Sequence, residues 1–179
     1  MSETNTHTHD VTQLNTDSDK TNFFKVSHFN KIFGVDRSDT PKPNIFTENP
    51  KLVSLRLGLI QEEVRELEEA IQNHDFKEVV DALADILYVV YGAGDSFGVN
   101  LDDAYQIVHS SNMTKLCTSE AEAQETVEWY KKNQLDKYPT PAYKQASDGN
   151  HWIVYNESTG KVLKSINYLP AVLDQFCQE

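Results

Sequence analysis

From Phe23 onward the large apolar residues fall at helical intervals. Phe23, Val26, Phe29, Ile32 and Phe33 share a face, and Gly34 follows as a stop signal. Residues 36–50 hold three prolines among many turn formers, which predicts an irregular connection. Beyond it, Leu57, Ile60, Val64, Leu67 and Ile71 repeat at alternating gaps of three and four, the stripe of an amphipathic helix ending at Asn73, His74 and Asp75. A third helix runs from about Phe76 to Phe97, and Gly98 breaks it. Its segment 79–94, VVDALADILYVVYGAG, is apolar or small almost throughout, which predicts a helix buried on all sides at the centre of a bundle. Asn100 caps a fourth helix, with Asp102 and Asp103 in its first turn. Ser119 and Glu122 form a capping-box pattern for a fifth, which ends in EWYKKN.

The rhythm then changes. Residues 137–150 read as a loop. Residues 151–168 read as two strands around a polar turn at 156–160, and LPAVLDQF at 169–176 as one helical turn. At the other end, residues 1–20 carry almost no large apolar side chains and predict a disordered tail. His7 and His9 lie there with no convergent third metal ligand. The expected fold is mainly α: a tail over 1–20, an all-α domain over 21–134, and an extension over 135–179 with a β-hairpin.

Two aspartates interrupt the apolar helix. Asp81 and Asp85 stand four apart and share a face, and no solvated face surrounds them in the sequence. A buried ionised carboxylate is costly without a positive partner. On the preceding helix Glu63 falls inside the apolar arc, with Glu62 and Glu66 on its flank. Glu68 and Glu69 point elsewhere, as solvated surface. If the two helices pack antiparallel across residues 73–75, both sets of acids meet. Carboxylate oxygens alone select hard divalent ions, Mg²⁺ or Mn²⁺ as its substitute, and Mg²⁺ is commonly completed by substrate phosphates. Phosphate-ester or phosphoanhydride chemistry follows. Two plainer readings stand beside this one. The glutamates can be a solvated face, and the aspartates can form salt bridges with Arg56, Arg65 or Lys115. Glu78, three residues before Asp81, is a rival ligand. On the fourth helix Asn112 and Lys115 share a face, where lysine suits a phosphate and asparagine a ligand or hydrogen bond.

Composition narrows the partners. The 179 residues carry a net charge of −12, which argues against nucleic acid and anionic membranes. Cys117 and Cys177 make no disulfide framework, no signal sequence opens the chain, and 79–94 is too short to span a membrane. The expected location is cytoplasmic.

E-E-x-x-E at Glu62, Glu63 and Glu66, the pair Asp81 and Asp85, and S-N-M-T-K holding Asn112 and Lys115 together resemble the all-α nucleoside triphosphate pyrophosphohydrolases. The stretch DALADILYVVYGAG is especially similar to the MazG-like and phosphoribosyl-ATP-pyrophosphohydrolase-like branches. The resemblance covers roughly residues 23–117. It implies a MazG-like helical bundle in which Mg²⁺ is held by Glu62, Glu63, Glu66, Asp81 and Asp85. It also implies cleavage of a nucleoside triphosphate between the α and β phosphates, with Lys115 and Asn112 on the substrate. Glu62 and Glu63 are the candidate catalytic residues, Glu62 as a further ligand or the group that orients water. Many relatives carry E-x-x-D ending at the position of Asp85. Here Ala82 stands at its first acid, so Asp81 replaces it, or Glu78 and Asp81 form the motif instead. Relatives pair subunits, which implies a homodimer or homotetramer. The activity expected is house-cleaning of nucleotides. Phosphoribosyl-ATP hydrolysis and non-hydrolytic nucleotide or metal binding are the alternatives. Tyr88, Tyr91, Phe29 and Phe33 are candidates for stacking a base, against an ordinary role in the core.

Overall fold

A computed structural model describes residues 20–177. The tail expected over 1–20, with His7 and His9, therefore lies outside the described residues except at Lys20. Six α-helices come first: α1 Asn22–Ile32, α2 Ile45–Glu48, α3 Pro50–Gln72, α4 Phe76–Phe97, α5 Leu101–Met113 and α6 Glu120–Asn133. Strands β1 Pro141–Gln145, β2 Trp152–Asn156 and β3 Lys161–Val162 follow, then a short 3₁₀ turn at Asp174–Phe176. The mainly α fold with a small C-terminal β element agrees with the reading of the sequence. The chain divides into two compact units, the first ending at Asp102 and the second beginning at Asp103.

Local chemistry sets the helix ends. Thr21 accepts the Phe24 amide at 3.3 Å and opens α1. Asn49 accepts the Leu52 amide at 3.2 Å and Pro50 takes the first turn of α3, where a missing N–H costs nothing. Asp75 accepts the amides of Lys77 and Glu78 at 3.1 and 3.2 Å, so only three residues, 73–75, separate α3 from α4. Gly98 ends α4 with φ +74°, and a Cβ there would lie 1.8 Å from the Thr40 carbonyl oxygen, so no other residue fits. Asn100 accepts the Asp102 amide at 3.0 Å at the start of α5. Ser119 accepts the Glu122 amide at 3.2 Å, while Glu122 reaches back to the Thr118 amide at 2.9 Å.

In the first unit α3 and α4 form a helical hairpin, α1 packs on α4, and α2 packs on α3. Val26, Ile45, Leu52, Ala70, Ala82 and Ala93 are its buried apolar residues. The expectation that α4 is buried all round is corrected. Only Ala82 and the segment from Gly92 to Ser96 are buried, whereas Val80, Leu83, Leu87 and Tyr88 are exposed. A helix hides only the stripe that meets its neighbour, and along its first half α4 has little besides α3 to meet. The connection 36–50 is also less irregular than expected, because its end winds into α2.

In the second unit the three strands form one antiparallel sheet in the order β1-β2-β3, with Tyr143 opposite Val154 and Tyr155 opposite Val162. Helix α6 lies on this sheet. Cys117, Ala123, Val127, Tyr130, Val154 and Leu163 form the core beneath it, and Tyr138, Tyr143 and Trp152 pack against that core. The expected hairpin is thus β2–β3. The segment 137–150, expected as loop, supplies β1. Its prolines conceal the strand, yet Pro141 sits at the first position of an edge strand, where the missing amide is tolerated.

Candidate functional site

The five predicted carboxylates occupy the hairpin of α3 and α4. Gly92 of α4 lies against Arg56 of α3, whose Nη1 would be 3.1 Å from a Cβ there. The same antiparallel offset brings Glu63 level with Asp85. Glu63 is half-buried; Glu62, Glu66, Asp81 and Asp85 are exposed. The Glu63 carboxyl is held above its usual range, first by partial desolvation, then by the negative charges of Glu66, Asp85, Glu62 and Asp81. These four acids and Glu63 therefore share one electrostatic neighbourhood. Glu78 is not in that group. Its amide caps onto Asp75, and its carboxylate faces Lys77 Nζ at 3.4 Å.

The premise that Asp81 and Asp85 are buried is corrected, because both face solvent. The salt bridges that would have explained them are not formed either. None of the ion pairs among the described residues involves the five acids. Arg56 turns away from them and donates from Nε to Ser96 Oγ at 2.8 Å. No three acids, histidines or cysteines among the described residues are gathered tightly enough to hold a metal ion. Ionised carboxylates repel one another at closer spacing. The donor chemistry, all carboxylate oxygen with no lysine or arginine competing, suits a hard divalent ion such as Mg²⁺ or Mn²⁺.

Helix α4 does contain a buried carboxylate, one that the sequence reading missed. Asp95 is only 1% exposed. It accepts a hydrogen bond from Asn30 Nδ2 at 2.9 Å, and Arg37 Nε stands 3.4 Å from its other oxygen. Its backbone carbonyl accepts the Ser38 amide at 3.1 Å. Next to it, Ser96 donates to the Asp36 carbonyl at 2.7 Å. Asp95 is a clamp joining α4, α1 and the segment after α1. Its signal was the GAGDSF stretch, where three small residues and a glycine-serine environment make room for a polar knot. Burial of Arg56 pushes its guanidinium below its ordinary range, against the opposing pull of Asp95 and Asp36.

The aromatic candidates pack on one another. Phe29 stacks on Phe33 with ring centres 4.1 Å apart and meets Tyr88 edge-on at 5.6 Å, while Phe23 and Tyr91 lie 6.4 Å apart. Asn112 and Lys115 belong to the second unit. Asn112 is exposed at the end of α5, and its carbonyl accepts the Lys115 amide at 3.1 Å. The half-buried Lys115 lines a cavity of about 650 Å³ in that unit.

Residues 26–112 match the phosphoribosyl-ATP pyrophosphohydrolase family. The matched span contains all five carboxylates and Asn112 and stops short of Lys115. An uncharacterized protein of Acanthamoeba polyphaga mimivirus is 30% identical, over 84% of this chain and 93% of its own length. Among the described residues no helix is long and apolar enough to cross a membrane.

Proposed function

The chain belongs to the phosphoribosyl-ATP pyrophosphohydrolase family, within the MazG-like all-α superfamily, and from that premise we propose that it is a Mg²⁺-dependent nucleoside triphosphate pyrophosphohydrolase. Water attacks the triphosphate, the bridging P–O bond between the α and β phosphates breaks, and pyrophosphate leaves with the electron pair. A nucleoside monophosphate and a proton are the other products. The observation that carries this reading is the half-buried Glu63, ringed by the charges of four further carboxylates from two helices and with no basic residue paired to any of them.

In this proposal Glu62, Glu63, Glu66, Asp81 and Asp85 hold Mg²⁺. When bound, the metal neutralises triphosphate charge and lowers the pKa of water. Partial desolvation and the neighbouring carboxylates hold the Glu63 carboxyl above its ordinary range, and a bound cation would relieve that repulsion. Glu62 orients that water. Lys115 is a point charge for a phosphate, and Asn112 a hydrogen-bond partner. The substrate is expected to be a canonical or damaged (d)NTP removed in house-cleaning. The family match also favours phosphoribosyl-ATP, in which the same α–β bond is available. We further propose a cytoplasmic homodimer or homotetramer, supported by the uncovered apolar stripe of Val80, Leu83 and Leu87 on α4.

The test is a pyrophosphate-release screen over canonical and modified NTPs and dNTPs and phosphoribosyl-ATP, with Mg²⁺ or Mn²⁺. At least one substrate is expected to turn over, and Asp85→Ala is expected to lower its rate by a factor of 10² or more, about 2.7 kcal/mol of barrier or above. The same variant should lose the rise in melting temperature that Mg²⁺ gives the parent protein. No turnover on any substrate, together with unchanged melting in Mg²⁺ for both proteins, would sink the proposal.

A further inference from the structure

The second unit contains a basic, aromatic cavity whose lining, apart from Lys115, the proposed chemistry does not use. It opens between α6 and the chain running on from β3, with a volume of about 650 Å³. Lys115, Lys137, Lys161 and Lys164 line it, against a single carboxylate, Glu125. The whole chain has 16 basic residues and a net charge of −12. Four of its lysines on one cavity is a local reversal of the molecule's own field. None of the four joins an ion pair among the described residues.

Three of these lysines are instead held by aromatic rings. The Lys137 and Lys161 ammonium groups lie 5.4 and 5.6 Å from the centre of the Tyr138 ring, and that of Lys164 lies 4.2 Å from the centre of Tyr168. Such contacts position a cation without cancelling its charge. Converging like charges repel, and an anion in the cavity turns that repulsion into attraction. Lysine heads suit phosphate oxygens. Trp129, also in the wall, is 43% exposed and meets Tyr130 edge-on, with ring centres 5.1 Å apart and planes at 84°. An indole with accessible surface is a platform for a planar base. The volume falls within the range that encloses a small organic ligand.

We propose that this cavity is a nucleotide-binding site of the second unit, with Lys137, Lys161 and Lys164 on the phosphates and Trp129 on the base. It needs no divalent cation, since its charge comes from lysine. The choice of a nucleotide deepens the pyrophosphohydrolase reading, whereas the lysine and tryptophan arrangement stands independently of it.

The experiment is calorimetric titration of the full chain in EDTA with each of the four ribonucleoside triphosphates, with inorganic tripolyphosphate and with adenosine. At least one nucleoside triphosphate is expected to bind, more tightly than tripolyphosphate and far more tightly than adenosine. Changing Lys161→Gln and Lys164→Gln together should weaken binding tenfold or more. Trp129→Ala should weaken the nucleotide but not tripolyphosphate. Both lysines are exposed, and Lys164→Gln alone serves if the double variant does not fold. The proposal is overturned if none of the four nucleotides binds, if the lysine variants bind as the parent does, or if tripolyphosphate binds as well as every nucleotide. Because metal is absent, these outcomes are independent of whether pyrophosphate is released in Mg²⁺.

Discussion

Two aspartates ten residues apart on one helix have opposite fates. Asp85 faces water and sits within reach of a glutamate on the neighbouring helix; Asp95 is buried and clamped by Asn30 and Arg37. Sequence spacing picked out the first because it pairs with Asp81 at helical interval. It passed over the second because nothing in a linear pattern tells that an asparagine and an arginine some sixty residues away will converge on it. The consequences of substitution divide in the same way. Asp95→Ala strands Asn30 and removes the charge facing Arg37 and Arg56, and is expected to cost about 3 kcal/mol of stability, read as a lower urea midpoint. Asp85→Ala, by contrast, is expected to leave the metal-free protein as stable as the parent or slightly more so, since it removes a repelling charge near Glu63.

At the scale of elements, the ends of α4 and the start of α6 were legible because their stops and starts are chemical, at Asp75, Gly98 and Ser119, whereas the caps at Thr21 and Asn49 emerge only in the fold. What periodicity does not show is which layer an element covers. The nearly unbroken apolar run of α4 looked like burial on all sides, and α6 carries no sign that its apolar face will rest on a sheet. Strand β1 was hidden for a different reason, the prolines at 139, just before it, and at 141, its first residue. The turn joining β1 to β2 yields a pH-dependent test. Asp148 accepts from His151 Nδ1 at 2.6 Å and from the Asn150 and His151 amides, which lowers its carboxyl to about 2. A folded pKa below the ordinary 3.8 means stabilisation that is complete above that value and lost as pH falls toward 2. Asp148→Asn should therefore lower the melting temperature near neutrality, and the gap between variant and parent should close between about pH 4 and pH 2.

For the molecule as a whole, the balance of charge and uncovered apolar surface is the feature to explain. Net charge of −12 keeps copies apart, yet Leu83 and Leu87 on α4 and Ile71 and Phe76 near the hairpin turn lie exposed. Apolar stripes of this kind are ordinarily covered by a partner. If the partner is a second copy, light scattering should give at least twice the 20.4 kDa chain mass. Leu83→Glu with Leu87→Glu should then reduce it to one chain. A parent protein that is already monomeric at high concentration rules out self-assembly through this face. The family relationship was readable from the acids on two helices together with the later S-N-M-T-K stretch, because the joint pattern is more specific than any one of its parts. The lysine cavity was not, since Lys137 and the pair Lys161 and Lys164 belong to separate segments that only the fold of the second unit brings onto one wall.

Cys117 exchanges two backbone hydrogen bonds with Trp152, is wholly inaccessible, and burial pushes its thiol above the usual range, whereas Cys177 is exposed. The chain thus carries its own clock. A thiol reagent should consume one equivalent at once and the second only when the α6–sheet unit opens, so the slow phase times that opening directly. Nucleotide added without metal should lengthen the slow phase if the lysine cavity is filled, and leave the fast one alone. Two equally fast equivalents would mean that the core around Cys117 is open to solvent on the reagent's timescale.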